Sequence, residues 1–320
     1  MKVVVTGGAG FIGANLVRTL LSDGAADHVT VVDDLSTGNR ENLDGVDGAE
    51  LRVGSILDER LLDDAFRGAD AVVHLAARPS VPRSLEDPVA SHTANATGTL
   101  QVLEAARRAG GPYTVVASSS SVYGADPTLP KSEDSAPRPL SPYAASKLAT
   151  EAYAQAYASA FGLPVLAFRL FNVFGPLQAA HHAYAAVVPA FVSAALAGRP
   201  LTVHGDGRQT RDFTYVDSVT AVILEAIHGR VTSDGPVNLA FGSRRTLLEV
   251  VAVLEQALGR RLEVVHAPPR PGDVRHSQAD QSRLRALFPG LVPIEFEQGL
   301  RGTLAWFRAA RHLQAYERPA

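Results

Sequence analysis

Short apolar runs at 3–6, 29–32, 71–75, 113–118 and 165–170 are separated by stretches whose apolar residues recur every three or four positions. The runs are apolar throughout instead of alternating with polar residues, as in strands buried on both faces. The stretches 11–22, 94–109 and 142–161 carry helical spacing. Strand and helix in strict alternation predict an α/β chain with a doubly wound parallel sheet covered by helices on both faces. After about residue 170 the pattern loosens. Gly, Pro and His become more frequent, and Gly205-Asp206-Gly207 and Arg270-Pro271-Gly272-Asp273 read as loops. A first domain over 1–170 and a smaller C-terminal region over 171–320 are expected, with segments of the second half returning to the first.

Composition narrows the choice. A chain of 320 residues, 46% hydrophobic and 20% charged, is globular and exceeds one ordinary domain. Its net charge of -3 argues against a nucleic-acid polymer as partner. Cysteine is absent, so disulfides, thiolate metal sites and a thiol nucleophile are excluded, which fits a cytoplasmic protein. The ten histidines show no ligand spacing, so no metal is expected. Lys2 to Thr6 run straight into glycines, unlike a signal peptide, and no apolar stretch reaches the roughly 18 to 20 residues of a membrane helix.

The first strand run is followed by Gly7-x-x-Gly10-x-x-Gly13, with Phe11 and Ile12 opening a helix. Such a loop lets the backbone approach a pyrophosphate, whose charge rests on the helix N-terminus. A tight strand-to-helix turn alone also uses glycine, but the second run ends at Asp33-Asp34, twenty residues after Gly13. A carboxylate there accepts hydrogen bonds from ribose hydroxyls and repels a 2′-phosphate. The expectation is a Rossmann domain holding NAD in preference to NADP. Asp34 fits this role or that of a solvated loop residue.

Ser141-Pro142 reads as an N-cap followed by proline at the first helical position. Tyr143 and Lys147 then fall one turn apart on one face. A phenol with a pKa of about 10 is a poor base at neutral pH, and lowering it by roughly three units takes about 4 kcal/mol. Lys147 and the positive nicotinamide are the expected source. Upstream, Ser118-Ser119-Ser120-Ser121-Val122-Tyr123-Gly124 places hydroxyls at the carboxyl edge of the sheet, where open α/β folds bind ligands.

Together these motifs resemble the extended short-chain dehydrogenase/reductase family. Asn95-x-x-Gly98-Thr99, Arg169-Leu170-Phe171-Asn172, Arg211-Asp212-Phe213 and Arg270-Pro271-Gly272-Asp273 are similar to its nucleotide-sugar branch, and within it to the UDP-hexose 4-epimerases. The resemblance implies that Tyr143 is base and acid, Ser119 its hydroxyl partner and Lys147 the ligand of the nicotinamide ribose. It implies further cofactor contacts from Ser55, Ile56, Leu75, Ala76, Ala77 and Asn95. For a UDP-sugar substrate it places Asn172, Arg211 and Arg270 against the diphosphate, which needs converging cationic and amide donors. Val188, within Ala185 to Pro189, is placed against the uracil and Asp273 near its ribose. Ser80 and Arg83 belong to a loop over the sugar, with Ser120 and Ser277 facing it. A homodimer through the helices at 94–109 and 142–161 is also implied.

Two departures bear on the reaction. Related 4,6-dehydratases carry an Asp-Glu pair in the stretch corresponding to Ser120-Ser121, so elimination of water is disfavoured against oxidation followed by reduction at C4. Ser55 stands where the family more often has aspartate. The small Ser277 leaves room for an N-acetyl group. UDP-glucuronic acid is also open, although Leu177-Gln178-Ala179 lacks the arginine of carboxylate-binding relatives; His181 and His182 fit that role or, more simply, that of solvated loop residues. The competing readings are a dehydratase or 4-keto reductase and, from another class, a non-catalytic NAD-binding scaffold or sensor.

Overall fold

A computed structural model describes residues 1–180, 185–269 and 274–311. The first half runs β1 (Lys2–Thr6), α1 (Phe11–Ser22), β2 (His28–Asp33), β3 (Ala49–Val53), α2 (Glu59–Phe66) and β4 (Ala71–His74). It continues through α3 (Val81–Glu86), α4 (Pro88–His92), α5 (Gly98–Arg108), β5 (Tyr113–Ser119), α6 (Pro142–Phe161) and β6 (Val165–Leu170). The second half adds β7 (Val173–Phe174), α7 (Val187–Leu196), β8 (Leu201–His204), β9 (Thr210–Asp212), β10 (Thr214–Tyr215) and α8 (Val216–Gly229). It ends with β11 (Val237–Leu239), β12 (Arg244–Thr246), α9 (Leu247–Leu258), β13 (Val264–Ala267), α10 (Ser282–Leu287) and α11 (Phe296–Arg311).

Among the described residues, seven strands form one sheet in the order β11-β6-β5-β4-β1-β2-β3, all of them parallel. Val3 pairs with Val29 on one side and Ala71 on the other, so the strand order reverses between β1 and β4. Crossovers diverge there, and a crevice opens beyond the carboxyl ends of those strands. On one face Val4, Val72 and Val116 pack with Leu62, Phe66 and Leu103 of α2 and α5. On the other, Val3, Val5 and Val115 meet Leu16 and Leu20 of α1 and Val222 and Ile223 of α8. Each such side chain contributes roughly 1.5–3 kcal/mol by leaving water, which is why these strands carry apolar residues on both faces.

The chain of the second half returns to this sheet. β11 pairs with β6, and α8 and α10 supply Val219 and Leu284 to the same core. A separate core gathers Phe174, Phe191, Phe213 and Phe296, with the Phe296 ring 5.3 Å from both Phe174 and Phe213.

The structure corrects two readings of the pattern. β3 sits at the sheet's edge and carries Glu50 and Arg52, which pair with each other at 2.8 Å, so it never shows as an apolar run. The stretch 94–109 is not one regular helix: a wide helical turn at Thr93–Thr97 precedes α5. Among the described residues no helix is long and apolar enough to cross a membrane.

Candidate active site

The turn from β1 into α1 is built by glycines with different jobs. Gly7 has φ +73°, and a Cβ on it would stand 2.6 Å from Ala76 N. A Cβ on Gly13 would lie 2.2 Å from Gly7 O. These two residues let the loop close on the end of β4 and let α1 pack on the loop. A Cβ on Gly10 would lie 3.2 Å from Gly7 O, a tight contact, so this position too favours glycine. It is also the N-cap of α1, without a side-chain cap and with no acidic residue in the first turn. The free N–H groups and the positive helix end therefore face a cavity of about 840 Å³.

That cavity is lined by Gly7, Gly10, Phe11, Ile12 and Gly13 at its centre and by Asp33, Asp34, Ser55 and Ile56 towards β2 and β3. Leu75, Ala76, Ala77, Tyr143 and Lys147 line the side towards β4 and α6. Asp33 is buried: Oδ2 accepts from Ala9 N and Oδ1 from Leu35 N, both at 2.9 Å. Burial raises its pKa and these N–H donors oppose the rise. Asp34 Oδ1 accepts from the backbone and hydroxyl of Ser36. The space, the uncapped helix end and the acidic ribose position fit a dinucleotide.

A second cavity of about 290 Å³ adjoins the first, and Tyr143 and Leu170 line both. Ser119, Ser120, Asn172, Arg211 and Ser277 face the second one. Ser141 caps α6 by accepting from Ala144 N at 3.1 Å, with Pro142 next, so the helix starts where it aims Tyr143 at this junction. The Tyr143 phenol is pushed up by burial, while its hydrogen bond with Ser119 pulls it down. The expected lowering by Lys147 is thus not met within the chain alone. Lys147 is buried and donates from Nζ to Ala117 O at 2.8 Å. Burial lowers its pKa to about 8 against the pull of Glu151.

Three expected contacts lie off both cavity surfaces. Asn95 is buried and spends its amide on a clamp: Oδ1 accepts from Arg78 N at 2.7 Å, and Nδ2 donates to Ser146 Oγ at 2.9 Å. Val188, placed against uracil by resemblance, is 1% exposed in the core beside Phe191. Ser80, with φ +99°, turns its hydroxyl to the N-terminus of α3 by accepting from Arg83 N. Arg83 lines the larger cavity and not the sugar side. Arg270, Asp273, His181 and His182 lie outside the described residues. Sequence reasoning missed Ser36, Thr37 and Arg78 around the larger cavity and Lys131 and His276 around the smaller one. Ser36 and Thr37 follow the acidic pair after one residue, Leu35, and were within reach of the motif. Lys131 and His276 arrive by tertiary folding and carry no local signal.

The model of the NAD dependent epimerase/dehydratase family matches residues 3–240. The chain belongs to this family. It is 38% identical to a UDP-glucose 4-epimerase of Mycolicibacterium smegmatis, over 96% of this chain and 99% of the relative. A UDP-glucose 4-epimerase of Thermus thermophilus solved with NAD superposes with a TM-score of 0.87 at 38% identity, over 97% of this chain and 100% of that one. A UDP-N-acetylglucosamine 4-epimerase from Methanobrevibacter ruminantium, in complex with UDP-N-acetylmuramic acid, gives 0.90 at 35% identity, over 97% and 98%. The Rossmann sheet and its NAD dependence are therefore those of the family.

Proposed function

We propose that the chain is an NAD-dependent 4-epimerase that inverts C4 of a UDP-linked hexose, with Ser119, Tyr143 and Lys147 as its catalytic residues. The observation that carries this is the position of Tyr143 in the wall shared by the two cavities, one sized and shaped for a dinucleotide, the other lined by hydroxyls, Asn172 and Arg211. When bound, NAD supplies a hydride acceptor that later gives the hydride back. The chain's own groups manage the proton. Tyr143 Oη removes it from the sugar C4 hydroxyl and returns it after the 4-keto sugar has turned over. Ser119, already hydrogen-bonded to the phenol, holds the sugar oxygen in line. Burial pushes the phenol up and Lys147 does not offset this within the chain alone, so the Lys147 ammonium would be joined by the positive nicotinamide, when bound, in supplying the charge that a phenolate needs.

The smaller cavity also bears on the dehydratase alternative. Among the described residues its lining contains no carboxylic acid, and hydroxyls occupy the place where elimination would need one. Arg211 and Asn172 are proposed diphosphate donors, and Ser120 and Ser277 proposed sugar contacts. A homodimer formed through α5 and α6 and a cytoplasmic place of work belong to the same proposal. The partly exposed Tyr153 and Phe161 lie on α6.

The test is Tyr143→Phe. It should lower kcat by about 10²–10⁴-fold and leave NAD binding intact. Incubation of the unaltered protein with UDP-glucose, UDP-N-acetylglucosamine and UDP-glucuronic acid, followed by product separation, should give a C4 epimer with no net NADH. A released keto sugar, or full activity in the variant, refutes the assignment.

A further inference from the structure

One turn beyond Lys147 on α6 stands Glu151, a buried carboxylate with no part in the chemistry above. Its environment is fully specified. Arg169, from β6, grips it with two hydrogen bonds, Nε to Oε1 at 2.9 Å and Nη2 to Oε2 at 2.8 Å. Ser118, at the end of β5, donates from Oγ to Oε1 at 2.5 Å. The same hydroxyl lies 3.4 Å from the carbonyl of Lys147. The Arg169 guanidinium is in turn stacked over the Tyr123 ring at 4.7 Å, and Tyr123 Oη donates to Asn238 Oδ1 of β11 at 2.7 Å. The helix that carries Tyr143 and Lys147 is thereby bolted to β5 and β6 through one carboxylate, and to β11 through Arg169 and Tyr123.

We propose that Glu151 is a positioning residue for Lys147: it locks this turn of α6 to the ends of β5 and β6 and supplies the negative charge that holds the lysine protonated in its buried pocket. The inference rests on the 4-epimerase reading of the site, but its geometry is independent of the substrate. A buried pair of this kind gains little net stability, because desolvation offsets the attraction. Placement of the charge one helical turn from Lys147, with Ser118 Oγ between its carboxylate and the Lys147 carbonyl, gives it a use that stability does not. The titratable and charged groups around the pocket are His74 from β4, Tyr143 and Glu151 on α6, Arg169 from β6 and Tyr123 from the turn after β5. His74 is held neutral by burial, so Glu151 is the negative charge that acts on Lys147.

The chain has lysines only at 2, 131 and 147, so three side-chain signals report all of them. The experiment follows the Nζ and Cε resonances of isotopically labelled lysine against pH in the full chain, without substrate. In Glu151→Gln the Lys147 titration should move to lower pH by about 1 unit, because the carboxylate one helical turn away no longer favours the charged ammonium. Because this variant leaves Arg169 buried without its partner, the double variant Glu151→Gln/Arg169→Gln is measured beside it and should move in the same direction. Thr150→Val, which removes a neighbouring buried hydrogen bond on α6 and no charge, should lower thermal stability and leave the titration in place. The basic limb of kcat against pH should follow the titration in each variant. An unchanged Lys147 titration in both Glu151 variants overturns the proposal. A shifted titration in a protein that epimerises no UDP-sugar leaves Glu151 in its role and overturns the 4-epimerase reading instead.

Discussion

β4 ends in His74, and its buried ring adds a contribution of its own to the way the fold responds to acid. Nδ1 meets Thr6 Oγ1 at 2.7 Å and Nε2 meets Thr99 Oγ1 at 3.1 Å, so both nitrogens are engaged while the ring is 2% exposed. Burial, and then the Lys147 charge, lower its pKa from 6.5 to about 3. The folded chain therefore prefers the neutral ring. Its contribution to stability is fully present above pH 6.5 and is lost as pH falls from there towards 3. At about pH 4.5 the unfolded chain binds a proton that the folded chain refuses, over about two pH units, which is a loss of about 2.7 kcal/mol. The perturbation is His74→Asn, which removes the titration. Unfolding by urea, followed by circular dichroism at about pH 7 and about pH 4.5, gives a free energy for each protein at each pH. Packing lost through the substitution enters both pH values and cancels in the difference. The unaltered chain should lose about 2–3 kcal/mol more than the variant on acidification. Equal losses would refute the account of a ring held neutral between two hydroxyls.

Two further outcomes follow from the cavity walls. Gly13→Ala puts a Cβ where the Gly7 carbonyl stands, and backbone cannot step aside as a flexible side chain can. NAD affinity should fall by about tenfold or more, equivalent to about 1.4 kcal/mol, with a lower Tm, as read by protein fluorescence during NAD titration and by thermal melting. Ser277→Tyr fills the sugar side of the smaller cavity, and kcat/KM for UDP-N-acetylglucosamine should drop by more than that for UDP-glucose. Equal losses on the two substrates would remove Ser277 from the choice between them.

The parts of this molecule that could be read from the chain are those whose physics is local. A strand buried on both faces is mostly apolar on both, so β1, β2, β4, β5 and β6 announce themselves, whereas the edge strand β3 and the two- to four-residue strands of the second half do not. A glycine loop before a helix and a Ser-Pro start before Tyr143 are likewise contained within a few residues. Contacts made across the fold leave weaker traces. Val188 is apolar with helical spacing, a pattern shared by a core position and a base-binding wall, and the core beside Phe191 is where it sits. Asn95 is polar in an apolar stretch, which signals a task without saying which, and the task is to tie the Arg78 loop to α6.

Glu151 lies between these cases. Tyr143, Lys147 and Glu151 recur every four residues along an alanine-rich helix, so one face of α6 presents a phenol, an ammonium and a carboxylate in register. Local spacing is enough to see that these three share a face. Only the fold shows that the third is held by Arg169 and Ser118 and turned towards no solvent. A helix face carrying three ionisable groups at the carboxyl edge of a parallel sheet would be an expensive way to pack a core. The arrangement makes physical sense when the carboxylate keeps the lysine charged, beside the phenol that is proposed to move the proton.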